Sequence, residues 1–294
     1  MSELVPETDL REFLRTRRAR ITPEEAGIRP LPGVRRVPGL RREEVAQLAG
    51  VSVDYYVRLE RGRNTSVSVS VLEAVALALK LNDTERNHLF ALAKPTRRRP
   101  RATATQRARP GLLRVLQNVA DVPALILGHR LDVLATNRLA STLYLDFDAL
   151  PANERNMARF IFLNDAARDL YVDWPETAHA IVGMLHLYAS HHPHDHQLAQ
   201  LVGDLSVNDK DFRRWWADQD VYQPRHGSKR YHHPLVGDLT LGFEAFTPVG
   251  DPDQTLGVYT VEPGSPSEHA LGILASWTAD SAPDHPGAAA EHER

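Results

Sequence analysis

Apolar positions recur three and four residues apart through most of the first ninety residues. Leu10, Phe13 and Leu14 form one such stripe in residues 9–20, and Val45, Leu48 and Ala49 form a second. Tyr56 and Leu59 form a third, with Val51 just ahead of it. Val71, Leu72, Val75 and Leu79 follow in residues 68–81, and Leu89, Phe90 and Ala93 in residues 83–93. These stripes predict five helices around one core. Gly50 follows the second stripe, where a helix can end in a left-handed residue that glycine adopts at little cost. Ser52 is placed to cap the next helix, and Asn82 or Asp83 the last. Residues 21–39 hold four prolines and three glycines. That connection is longer than the turns that usually join helices in a bundle.

After residue 110 the period changes. Leu112, Leu113, Val115, Leu116 and Val119 predict a short helix, and residues 123–128 and 132–136 two strands around a turn. Helical patterning covers 137–145, 157–162, 165–170, 174–189, 197–205 and 212–219. Three more strands are expected over 221–232, 239–246 and 254–261. Two strands, several helices and three strands is the order of a PAS-like domain, whose antiparallel sheet carries helices and often encloses a ligand cavity. The expected protein is therefore multidomain: an all-α five-helix domain at 1–93, a linker at 94–110, an α+β domain with a five-stranded antiparallel sheet at 111–277, and a disordered tail at 278–294. The linker mixes proline with arginine and has no apolar period. It either adds nonspecific affinity for a polyanion or is a solvated tether.

Charge separates the two halves. The chain of 294 residues has a net charge of −3. Residues 1–109 hold 22 Lys and Arg against 13 Asp and Glu, a net of +9, while residues 110–294 hold 13 against 25, a net of −12. An anionic partner is thus expected for the first half only. There is no cysteine, so disulfides and thiolate metal sites are excluded, which fits a reducing cytoplasm. No apolar run approaches the roughly 20 residues that a membrane span needs, and the acidic N-terminus does not read as a signal peptide.

Two packed short helices with arginines on the outer face fit a helix-turn-helix, whose second helix lies in the DNA major groove. Base reading is expected from Val53, Asp54 and Tyr55 at the start of that helix, with Arg58 as the partner for guanine. Asp54 can accept from cytosine N4 or act as a cap, and Tyr56 reads as core. Phosphate contacts are expected from Arg41 and Arg42, which open the first helix, from Arg61 and Arg63 at the exit, and from Arg35 and Arg36 in the long loop. That loop reaches the backbone or the flanking minor groove, or is simply solvated. Leu-Ala-Gly-Val-Ser at 48–52 and Leu-Glu-Arg-Gly at 59–62 resemble the Cro and lambda-repressor class, the XRE family. The wider pattern is Leu14-Arg15-Thr16-Arg17-Arg18, Gly39-Leu40-Arg41-Arg42-Glu43-Glu44-Val45-Ala46 and Tyr55-Tyr56. It resembles the MmyB-like branch of that family.

The second half carries the same resemblance in Tyr171-Val172-Asp173-Trp174, Gly227-Ser228-Lys229-Arg230, His233-Pro234, Val236-Gly237 and Glu262-Pro263-Gly264-Ser265-Pro266. It implies a PAS-like sensor of a small, partly apolar, fatty-acid-like ligand. Leu125, Leu127, Leu134, Phe160, Trp174, Trp215, Leu241, Phe243 and Tyr259 could wall a cavity, and Lys229, Arg230 or His232 could meet a carboxylate. Each methylene buried there would contribute about 0.8 kcal/mol. The other reading is that these side chains fill the core, leaving a domain that only dimerises or recruits a protein partner. The histidines at 191, 192, 194 and 196 read as a solvated turn, because a metal site needs ligands converging from spaced positions. No enzyme signature is present, and neither metal nor cofactor is expected. The sequence thus describes a DNA-binding regulator, expected as a homodimer on paired half-sites because one helix reads too few base pairs.

Overall fold

The structure, a computed structural model, describes residues 5–28, 39–62, 67–93, 106–222, 226–249 and 253–280. In chain order the elements are α1 (Val5–Arg20), α2 (Arg42–Leu48), α3 (Val53–Glu60), α4 (Val69–Ala78), α5 (Asp83–Ala93), α6 (Pro110–Asn118), β1 (Ala124–Leu127), β2 (Val133–Thr136), α7 (Arg138–Leu143), α8 (Met157–Leu163), α9 (Asp165–Leu170), α10 (Trp174–His191), α11 (His196–Asn208), α12 (Lys210–Ala217), β3 (His226–His233), β4 (Gly237–Phe246), β5 (Thr255–Thr260) and α13 (Pro266–Asp280). The five helices and five strands expected from the period all form. The sequence reading had no element at α13, which packs on α7 and β4. The expected tail begins inside this helix, and residues 281–294 lie outside the described residues.

Local chemistry sets the helix ends. Gly50 takes φ +66° after α2, and Val51 N–H closes onto the Ala46 carbonyl at 3.0 Å. Ser52 Oγ then accepts from Tyr55 N–H at 3.2 Å, opening α3. Asn82, not Asp83, caps α5: its side chain accepts from Glu85 N–H at 2.9 Å while Glu85 accepts from Asn82 N–H at 3.0 Å. At Gly39 a Cβ would run into the Arg18 carbonyl and Ala19 backbone at the end of α1. That close approach requires glycine there.

The chain divides into two compact units, and the division is not the simple succession expected from the sequence. One unit takes residues 1–105, 158–163 and 175–224; the other takes 106–157, 164–174 and 225–294. Helices α11 and α12 and all but the first residues of α8 and α10 therefore group with the N-terminal helices. The reason is packing. Val221, just past α12, is buried in the core formed by Phe13, Leu14, Val45, Tyr56, Leu59, Leu72 and Leu89. Gly183 of α10 lies so close to Tyr222 that a Cβ would sit 2.7 Å from its side chain. Phe162 meets Phe212 edge-on at 5.0 Å, and His186 stacks on Trp216 at 3.8 Å.

The second unit is built on the sheet, ordered β2-β1-β5-β4-β3 with antiparallel neighbours. Side chains alternate between its faces. Ala124, Ile126, Leu256 and Val258 pack with Leu112 and Leu116 of α6 on one face. The register then places Leu125, Tyr259, Phe243, Leu241, Leu239, Lys229, Tyr231 and His233 on the other. Asn137 locks the corner after β2. It caps α7 by accepting from Ala140 N–H at 2.9 Å, and it donates to the carbonyls of Val119 and Val122 at 2.6 and 2.7 Å.

Two buried histidines of the first unit make its stability depend on pH. His186 donates from Nε2 to the Trp216 carbonyl at 2.9 Å, and burial lowers its pKa to about 4. His88 of α5 has no hydrogen-bond partner on either ring nitrogen among the described residues. Burial, with the charges of His186, Arg17 and His191, holds its pKa well below the ordinary value. Both are neutral when folded at neutral pH, whereas unfolded histidine titrates near 6.5. The unfolded chain therefore binds more protons below about pH 6.5, and stability falls as pH drops from there toward 4. His186 alone should cost roughly 2 kcal/mol between pH 7 and pH 5. Urea unfolding followed by tryptophan fluorescence should show that loss, and His186→Gln should flatten it.

Candidate DNA interface and ligand face

The exposed surface of α3 carries the side chains expected to read bases. Val53 is 44% exposed, Asp54 and Arg58 are exposed, and Tyr55 is half-buried. Tyr56 and Leu59, on the opposite side, are fully buried. Because Ser52 supplies the cap, Asp54 is not needed for it and stands in the first turn, where a carboxylate suits the helix dipole. Arg61 follows α3 and is exposed. Arg58 and Arg61 have no ion pair among the described residues. Arg35, Arg36 and Arg63 lie outside the described residues.

Arg41 and Arg42, expected at phosphates, both meet carboxylates of their own domain. Arg42 grips Glu60 Oε1 with two donors, Nε at 2.9 Å and Nη2 at 2.7 Å. Arg18 of α1 meets the other oxygen of Glu60 at 3.2 Å and donates to the Leu40 carbonyl at 2.7 Å. The Glu60 side chain is 1% exposed, so its charge is matched by two guanidiniums in the interior; Arg42 remains 42% exposed. Arg41 approaches Glu43 at 3.6 Å, while its backbone N–H donates to Glu44 at 2.6 Å. Both guanidiniums first serve the domain's own carboxylates. Sequence reasoning missed Glu60 and Arg18 as a structural pair; the Leu-Glu-Arg-Gly string held the signal, a charged residue directly after the buried Leu59.

The structure does not gather the twelve expected pocket residues. Leu125, Leu127, Leu241, Phe243, Tyr259 and Lys229 share one face of the sheet by register. Arg230 and His232 fall on the other face, because strand side chains alternate. Arg230 forks onto Asp173 at 2.8 and 2.7 Å, and His232 meets Asp238 at 2.7 Å. Leu134 packs with α6. Trp174 lies under Arg168, 3.7 Å from its ring centroid. Phe160 and Trp215 belong to the first compact unit.

On the shared face stand four tyrosines, of which the sequence reading named only Tyr259. Tyr144, Tyr171, Tyr231 and Tyr259 are all buried. The rings of Tyr171 and Tyr231 lie 5.0 Å apart, and those of Tyr144 and Tyr259 5.9 Å. The hydroxyls of Tyr144 and Tyr231 are hydrogen-bonded at 3.0 Å. Burial, above every other cause, raises all four pKa values above the usual phenol value, so the cluster is neutral. The Lys229 ammonium reaches over the rings of Tyr171 and Phe243 at 5.6 and 5.3 Å. Tyr231 was legible as an inward strand position; Tyr144 and Tyr171 lie outside strands, where alternation gives no signal.

A shallow open groove of about 580 Å³ runs along α13 past Glu268, Gly272, Ile273 and Ser276, and none of the expected pocket residues lines it. Near the histidine run, Asp195 caps α11 and accepts from the Tyr188 hydroxyl at 2.9 Å, while His192 stacks on Tyr188. Among the described residues no group of three or more His, Asp or Glu is arranged to hold a metal ion, and no helix is long and apolar enough to cross a membrane.

A capped helix pair whose second helix exposes Val53, Asp54 and Arg58, followed along the chain by an α+β sheet region, has the form of a protein of the helix-turn-helix class with a second part. The comparisons carry this further. A helix-turn-helix domain model matches residues 9–89, and the model of the MmyB-like transcription regulator ligand binding domain matches residues 108–274. The chain belongs to the MmyB-like transcription regulators. A search of curated proteins returned no match.

Removing the shared carboxylate should show how much the reading domain depends on it. Glu60→Ala leaves two guanidiniums unmatched and should cost about 3–5 kcal/mol of stability, read by urea unfolding. Arg18→Ala should cost more than Arg42→Ala, because Arg18 is the more deeply buried partner.

Proposed function

We propose that this DNA-binding transcriptional regulator binds, as a homodimer in the cytoplasm, an operator with two half-sites, and that its PAS-like region senses a small, partly apolar carboxylate. Val53, Asp54, Tyr55 and Arg58 read bases in the major groove. Arg61 and Arg63, with Arg35 and Arg36 of the long loop, hold phosphates, and Arg41 and Arg42 contribute through whatever charge Glu43 and Glu60 leave uncompensated. The observation that carries the reading is the exposed face of α3, where Arg58 has no ion pair among the described residues while nearby Arg42 is tied to Glu60. The ligand end of the proposal rests on Lys229, the cation on the same sheet face as Leu125, Leu241 and Phe243.

A duplex selected from random-sequence DNA by the wild-type protein is the probe for the first part. Arg58→Ala should weaken binding to it by about 1–3 kcal/mol and relax preference at one base pair. Equal affinity and preference in the variant would remove Arg58 from base reading. Converting both Arg35 and Arg36 to alanine should lower affinity and flatten its dependence on salt, since each phosphate contact adds to that slope. An unchanged slope would assign the loop to solvent.

A second reading is favoured by the tyrosine cluster, whose mutually packed rings occupy the sheet face. In that reading the region serves dimerisation or partner recruitment. Native mass spectrometry before and after denaturation separates the two. A dimer that releases a lipid-sized mass, with release lost in Lys229→Met, supports sensing. A dimer with no added mass, and no myristate binding by calorimetry, supports assembly alone.

A further inference from the structure

We propose that Arg17 couples the α10–α12 helices to the DNA-reading helix α3, through α1 and the ion pairs that the adjacent Arg17 and Arg18 make on two different sides of it. Arg17 is 3% exposed; its Nε lies 2.9 Å from Glu85 of α5 and its Nη1 3.1 Å from Asp220, three residues past α12. Its Nη2 donates to the Gln219 carbonyl at 2.6 Å. The next residue, Arg18, points elsewhere because successive helical side chains diverge by about 100°. It holds Glu60 at the end of α3 and the Leu40 carbonyl ahead of α2. One turn of α1 therefore joins Asp220 to Glu60.

The partner segment is built for this contact. Gln219 takes φ +54°, a left-handed backbone that residues other than glycine rarely adopt. Such strain persists where surrounding contacts over-determine it. Asp220 also accepts from Arg20 and meets His179 of α10 at 3.2 Å. Val221 is buried in the core of the reading domain, and Gly183 of α10 lies against Tyr222. His179, Gly183, Gln219, Asp220, Val221 and Tyr222 fall within the matched ligand-binding domain, yet they belong to the compact unit of the helix-turn-helix. A change in the set of α10–α12 therefore acts on α1 through Asp220, and on α3 through Arg18 and Glu60.

The coupling rests on the DNA-reading role proposed for α3, and its test has a readout that does not. In the full chain, Asp220→Asn keeps the side-chain shape and removes the charge. It should speed hydrogen exchange of the α3 amides and lower affinity for the duplex selected by the wild type by roughly 5–150-fold, the range of typical couplings. Asp204→Asn is the control, removing an equal charge from the Arg159 pair between α8 and α11; it should change neither. Arg17→Gln combined with Asp220→Asn should cost less than the sum of the two single changes. If Asp220→Asn loses its folded far-UV spectrum, Arg17→Lys, which keeps the charge and loses the fork, is read the same way. α3 exchange and affinity equal to wild type, or additive single effects, would overturn the coupling. If the wild type selects no duplex, the DNA-reading role fails, and α3 exchange alone still decides the coupling.

Discussion

The reading domain depends on one buried carboxylate. Glu60 closes α3, and its two oxygens are held by Arg18 from α1 and Arg42 from α2. A charge in that position costs free energy unless its partners are complete. With both present, Glu60 ties α1, α2 and α3 to one another on the side away from the outer face of α3. Gly39 contributes to the same constraint, because the chain passes so close to the end of α1 that no Cβ fits. Leu40 then offers its carbonyl to Arg18. The exposed chemistry of Val53, Asp54 and Arg58 is thus oriented by contacts that face away from it.

The sheet region works by a different principle. Its inner face combines apolar side chains such as Leu125, Leu241 and Phe243 with neutral buried phenols. The Tyr144 and Tyr231 hydroxyls are paired, and the Lys229 ammonium lies over the Tyr171 ring. Phenols combine large apolar area with a polar tip, so such a face tolerates either a guest molecule or close packing. The even-numbered positions of β3 carry Ser228, Arg230 and His232 on the opposite side, where Arg230 pairs with Asp173 and His232 meets Asp238. A single step of strand register thus puts Lys229 on one face and Arg230 and His232 on the other.

The period of the chain made most of the fold legible. Stripes such as Leu10-Phe13-Leu14 and caps such as Ser52 act locally, over three or four residues, and local rules recover them. Long-range pairing was not legible. Nothing within a few residues of Asp220 shows that it meets Arg17, some two hundred positions earlier. Nor does the alternation of β3 reveal which parity faces inward until β4 is paired with it. The position of Arg42 at the start of α2 suggests a phosphate contact, and that of Arg230 a ligand carboxylate, because sequence shows the cations and not the carboxylates that long-range packing brings to them. Trp215, a candidate cavity wall from sequence, groups by packing with the first unit. The helix α13 was not read from the sequence, although Ala270, Leu271 and Leu274 form a buried stripe in it, with Ile273 and Trp277 exposed.

Formal charge overstates what the reading domain offers to DNA. The first 109 residues carry a net +9, yet Arg17, Arg18, Arg20 and Arg42 are engaged by Glu85, Glu60 and Asp220. These arginines organise the domain. Asp220 comes from the acidic half of the chain, so part of the charge difference between the halves is neutralised inside one compact unit. What remains on α3 and at its exit is a small group of exposed arginines. Phosphate contacts position a protein on DNA, and sequence is read at the base edges. Among the described residues Arg17 and Arg18 are the arginines turned inward, and they tie α1 to Glu85 of α5 and to Glu60 of α3.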